Sequence, residues 1–276
     1  MSAAASNMAA RGGPPSGGSG SAAPGAAAAQ RPLVALVAAD ISSALVAGLL
    51  CSPLVGAIDR AVTLHAAGAA PLWPTLWASL RSPRLLVSGP APRLIFAVYA
   101  STYTAANCAD TLSGSPAAVL AASTLTNTSA CIAKDRAFAR MFGATAPRPM
   151  PLASLCLWVC RDSVTMAFVF SLPPLLAAAR GVDGDAVSAA THFAAPIAAQ
   201  VLTTPLHLAG LGLYNAPGAS PRDHWLSLRQ KYAATVLARQ LRVVPAFSLG
   251  GAVNRALRAK IHAHFDPAGS PHAAKR

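Results

Sequence analysis

Three stretches of the chain reach the same punctuation at one spacing. Pro53 in AGLLCSPLVGAIDRA, Ser129 in STLTNTSACIAKDRA and Pro205 in AAQVLTTPLHLAGLG each lie 76 residues apart. The first two stretches share more than the spacing, because laying Pro53 on Ser129 places Asp59-Arg60-Ala61 on Asp135-Arg136-Ala137. A repeat of this length means one supersecondary unit built three times, and such a period must be recognised before any local element is assigned.

The solvent of that unit follows from composition. Hydrophobic residues make up 54% of the chain and charged residues 11%, and no glutamate is present. Alanine can inflate such counts in a soluble helical domain, so the length of the apolar segments carries the argument. A helix crossing a bilayer needs about 20 mainly apolar residues. Six stretches are read as such helices, roughly 33–58, 85–109, 116–133, 151–175, 186–213 and 233–253. The expected fold is therefore an all-α membrane protein of six transmembrane helices in three pseudo-symmetric two-helix repeats, over about 33–110, 116–180 and 186–261. The whole membrane domain spans 32–262.

Charge orients the bundle. The links within the units carry Arg60, Arg81, Arg84, then Lys134, Arg136, Arg140, Arg148, then Arg222, Arg229, Lys231, whereas the links between units hold almost no net positive charge. Short Lys- and Arg-rich loops stay on the side from which insertion is directed. All three inner links should share that side, and both termini the other. Residues 1–31, built of Ala, Ser, Gly and Pro without an acid, read as a disordered segment; the alternative, a Ser-rich, acid-poor transit peptide, is weakened by having only two arginines, Arg11 and Arg31. Residues 263–276 read as a flexible basic tail.

Soluble catalysis has no foothold: the chain lacks a Gly-rich phosphate loop, a Gly-x-Ser-x-Gly elbow and any metal-ligand spacing, so neither an enzyme nor a cofactor is expected. Five cysteines without paired spacing argue against a disulfide framework. The net charge of +13 lies in short loops, which suits a lipid bilayer with anionic head groups better than nucleic acid. Protein partners are not indicated. Among polar residues inside apolar helices, Asp40, Gln200, His192 and His207 stand out as lesser candidates, a lone histidine there being more often packed or hydrogen-bonded than a ligand.

Each even-numbered helix carries an arginine inside its apolar run: Arg93 in APRLIFAVYAS, Arg161 in WVCRDSVTMAF and Arg242 in RQLRVVPAFS. An intramembrane charge is costly and faces a cavity or a partner, which makes these three the candidate substrate-binding residues. The other account is that Asp162 neutralises Arg161 and that Arg93 and Arg242 snorkel to the interface.

From about 36 to 261 the chain resembles the mitochondrial carrier family, most clearly in TTPLHLAGLGLYN followed by ARQLRVVPAFSLGGAVN. Odd helices of that family carry Pro-x-[Asp/Glu]-x-x-[Lys/Arg]. Here Pro53 is followed by Val55 and Ile58, Ser129 by Cys131 and Lys134, and Pro205 by His207 and Gly210, so only Lys134 keeps its charge. The resemblance implies three units around a central cavity, a kink or gate at Pro53, Ser129, Pro205 and Lys134, and the three arginines as contacts for a small anionic solute. It also implies a mitochondrial membrane, the inner in preference to the outer. The decayed gate motif leaves a second reading open, a carrier-fold scaffold or partner-binding protein that does not transport.

Overall fold

The computed structural model describes residues 24–170 and 184–265. It is all-helical, without a strand among the described residues. The long helices are α1 (Pro24–Ala66), α4 (Pro90–Ser113), α5 (Pro116–Phe142), α6 (Leu152–Phe170), α7 (Gly184–Asn215) and α8 (Pro221–Leu241). Two short helices, α2 (Leu72–Leu80) and α3 (Pro83–Val87), fill the first inner link. A π-helical segment at Val244–Gly250 leads into α9 (Gly251–Phe265).

Local chemistry sets several of these boundaries. Proline occupies the first turn of α3, α4, α5 and α8, where its missing N–H costs nothing. Gly114 ends α4 with φ 58°, a left-handed conformation that other residues adopt only with strain. Ser220 and Asp223 close a reciprocal capping box on α8. The π segment begins beside Pro245, whose ring cannot continue an α-helix, and it splits the expected sixth helix into α8 and α9.

Helices pack in chain order: α1 against α4, α4 against α5, α5 against α6, α6 against α7, and α7 against α8. The last pieces, α8, the π segment and α9, return to α1, so the helices close a ring. α1 and α4 approach closely where Gly48 and Gly56 face α4. A Cβ at Gly56 would stand 2.9 Å from the Pro92 nitrogen, and one at Gly48 would stand 3.1 Å from the Ala100 nitrogen. Only glycine admits this approach.

The ring is apolar outside and charged inside. Leu45, Leu49, Leu125, Leu202 and Leu237 lie exposed on its surface, while Asp40, Asp59, Lys134, Asp135, Arg161 and Arg239 are buried. This inverts a soluble protein, in which charge faces water. Of the described helices only α1, over Leu33–Ala66 with a mean hydropathy of 2.2, is long and apolar enough to qualify by composition as a membrane span. The expectation that several stretches would qualify is corrected here. The other long helices direct charged and hydroxyl side chains into the ring, which dilutes their hydropathy.

Two further expectations are corrected. Residues 24–31, assigned above to a disordered segment, are the first turns of α1; residues 1–23 and 266–276 lie outside the described residues, as does the end of the fourth expected helix. Pro53, Ser129 and Pro205 do not end their helices. Each sits inside α1, α5 or α7 with more than two turns still to follow. A proline deprives the carbonyl four residues earlier of its donor, and both of these carbonyls find another. The Ser52 hydroxyl donates to Leu49 O at 3.1 Å, and the Tyr232 hydroxyl donates to Val201 O at 2.9 Å.

The inner links gather at one end of the ring. Arg148 of the second donates to the carbonyls of Leu213 and Tyr214, and Lys231 of the third unit donates to Ala66 O at 2.8 Å. In the first link, Arg60 donates to Ser79 of α2 at 2.9 Å and lies over the Phe142 ring of α5.

Candidate functional site

A continuous ion-paired layer crosses the ring near its link end. Lys134 of α5 sits between Asp59 of α1, at 2.8 Å, and its neighbour Asp135, at 2.7 Å. Asp135 accepts from Arg161 of α6 at 2.5 Å, and Arg161 forms a two-pronged contact to Asp162 at 2.8 Å. Arg161 also meets His207 Nδ1 of α7 at 2.8 Å. A guanidinium has donors only, so that ring nitrogen accepts and carries no proton. Asp59 completes the circuit with Arg242 at 3.0 Å, just beyond α8. One layer thus ties five of the six long elements together.

Arg239 joins this layer differently. It is 3% exposed, and its Nε donates to Gln200 Oε1 at 3.0 Å; no carboxylate lies within ion-pairing distance among the described residues. The layer therefore holds four cations, Lys134, Arg161, Arg239 and Arg242, against three carboxylates, Asp59, Asp135 and Asp162.

A second layer closes the opposite end. Arg258 of α9 donates to Asp40 of α1 at 2.7 Å and to Asp110 of α4 at 2.7 Å. Asp40, fully buried, also accepts from Thr111 at 2.5 Å and meets His262 at 2.9 Å. Asn107 and Asn254 exchange reciprocal hydrogen bonds at 2.9 and 3.0 Å beside them. Asp40 and Asp59 stand 19 residues apart on α1, and at about 1.5 Å per residue the two layers are roughly 28 Å apart.

Between the layers lies a cavity of about 210 Å³. Its wall takes residues from all six long helices and the π segment, with Asp59, Lys134, Asp162, Arg239 and Arg242 as its charged groups. Two further polar groups face it with little to bind. Among the described residues, Thr102 Oγ1 is buried without a partner, and the Asn127 amide touches only sulfur, Met166 at 4.0 Å and Cys131 at 3.8 Å.

The structure brings Arg161, Arg242 and Lys134 into one layer and leaves Arg93 out of it. Arg93 lies exposed in the first turn of α4, near the link end. Asp162 does not leave Arg161 free: the pair is direct, and Arg161 is further held by Asp135 and His207. Pro53 and Pro205 shape α1 and α7 without entering the ion pairs, and Ser129 is exposed on α5. Sequence reasoning missed Asp59, Asp135 and Arg239. The signal for the first two was the repeated Asp-Arg-Ala; the position six residues after Pro205 holds Leu211 instead. Asp40, Gln200 and His207 each join a polar network, and the His192 side chain lies outside the described residues.

A helical ring with an apolar exterior, enclosing a cavity with charged groups in its wall between two ion-paired layers, is the anatomy of a membrane transporter. Residues 43–262 match the model of the family described as "Probable citrulline exporter", and the chain belongs to that family. No curated protein and no solved structure matches the chain significantly. The family match corrects the resemblance to mitochondrial carriers, since no carrier family is matched. The physical sign of the difference is the ion-pair register: the acids here stand six residues after Pro53 and Ser129, where the carrier motif would have them two residues on. The mitochondrial membrane expected from that resemblance loses its basis with it.

Proposed function

We propose that the chain exports a small amino acid of the citrulline kind through the cavity at the centre of the helix ring, and performs no chemical conversion of it. The observation that carries this reading is a cavity of about 210 Å³ between two ion-paired layers, furnished with a spare guanidinium and a nearly unpartnered amide. Pockets for drug-sized ligands measure about 300–1,000 Å³, so this one suits a small metabolite. Citrulline bears a carboxylate, an ammonium and a ureido group. Asn127 offers a donor and an acceptor, which is what a ureido group pairs with. The purely anionic solute expected from the arginines gives way to a zwitterion in this reading.

Transport follows by opening one layer while the other stays closed, as alternating access requires. The six long helices would cross the membrane as three units: α1 with α4, α5 with α6, and α7 with α8 and its π-linked continuation. The basic inner links would lie against anionic lipid head groups. The test is counterflow: purified protein in liposomes preloaded with citrulline should accumulate external labelled citrulline, and protein-free liposomes should not. Equal accumulation in both would refute the proposal.

A further inference from the structure

We propose that Arg239, oriented by Gln200, takes the carboxylate of the solute, and that the carboxylate is the group the cavity reads most stringently. This rests on the transport reading above and adds a residue and an order of recognition to it.

The argument is one of unfilled valences. Asp59 already holds Lys134 and Arg242, Asp135 holds Lys134 and Arg161, and Asp162 holds Arg161 through both oxygens. Every acid of the layer is already paired with at least one cation, so the ammonium of a solute meets no unpaired carboxylate there. Arg239 is the opposite case. It is buried, it lines the cavity, and its Nε is occupied by a neutral amide oxygen. Gln200 is itself 3% exposed, so the contact between the amide and the guanidinium is shielded from water. The remaining donors form a planar fork, the geometry that binds a carboxylate through two parallel hydrogen bonds. A buried cation without a counter-charge is costly, and an entering carboxylate removes that cost, whereas a carboxamide does not.

The experiment measures binding of labelled citrulline to the full-length protein in detergent, with competition by citrulline amide and by N-acetylcitrulline. The amide should compete more weakly than citrulline by over about tenfold, because it leaves Arg239 uncompensated. N-acetylcitrulline, which keeps the carboxylate and loses the ammonium, should stay within about fivefold if its added bulk is accepted. Arg239→Gln should lose citrulline binding by over about tenfold and no longer separate acid from amide, and Arg239→Lys should recover part of both. Should Arg239→Gln fail to fold, the amide competition on the unaltered protein decides alone. An amide that competes as well as citrulline, or an Arg239→Gln variant of unchanged affinity, overturns the assignment. Unaltered protein that binds no citrulline overturns the transport reading and this inference with it, an outcome distinct from the other two.

Discussion

Replacing Lys134 by methionine removes the one cation that α1 and α5 share. Its ammonium lies 2.8 Å from Asp59 and 2.7 Å from Asp135, with side-chain exposures of 5%, 7% and 3%. Removing one partner of a buried ion pair costs about 3–5 kcal/mol, because the other charge stays buried. Here each acid keeps a second cation, Arg242 or Arg161, so the lower figure of about 3 kcal/mol applies. Asp59→Asn should cost about the same, since it leaves Arg242 beside a neutral amide and Lys134 with Asp135 alone. If the two losses were independent the double variant would lose about 6 kcal/mol, but residues in one ion-pair network couple by about 0.5–3 kcal/mol, so a loss near 4 is expected. Unfolding in mixed micelles, followed by helical circular dichroism, yields all four corners of the cycle. Arg93→Ala serves as a control and should stay within about 0.5 kcal/mol, as surface changes do. Additivity of Lys134→Met and Asp59→Asn within about 0.5 kcal/mol would refute the account of a single coupled layer.

Three other outcomes are expected. Tyr232→Phe withdraws the hydroxyl that satisfies Val201 O ahead of Pro205, and should lower unfolding stability in the same assay by about 1 kcal/mol. Arg258→Ala strips the fully buried Asp40 of its guanidinium; passive efflux of preloaded solute from proteoliposomes should rise, because the layer opposite the links no longer closes. Hydrogen bonds from the Ser220 side chain and backbone hold the Asp223 carboxyl, outside the spans, below the usual carboxylate range. A depressed folded value means that the cap stabilises above the unfolded aspartate value of about 3.9 and is lost as pH falls through the lower folded one. Ser220→Ala should therefore flatten the decline of the thermal midpoint below about pH 4.

The all-helical fold was legible in the sequence because helix-length runs between Pro- and Gly-rich links are a local property, and five of the six expected helices overlap a single long helix. The sixth was not, because its centre falls beside Pro245, and a π-helical continuation cannot be told from a helix end by periodicity alone. The site was half legible. Arg161, Arg242 and Lys134 were singled out because charge inside an apolar run is conspicuous, and Arg93 was singled out by the same rule although it lies on the outer face. Arg239 and Arg242 are three residues apart on neighbouring helical faces, and nothing in the string says that one meets Asp59 while the other meets a glutamine. Their difference depends on α1 and α7 arriving beside them. The carrier resemblance went astray because it rested on the spacing of Pro53, Ser129 and Pro205, whereas the buried acids stand six residues after Pro53 and Ser129 instead of two.

The most direct test of the central claim is a crystal structure of the protein with citrulline bound. The solute should occupy the cavity between the Asp59 and Asp40 layers, its carboxylate on Arg239 and its ureido group toward Asn127. Solute seated instead in the separate cavity between α7 and α8, beside His224 and Trp225, with the central cavity empty at saturating citrulline, would contradict the account.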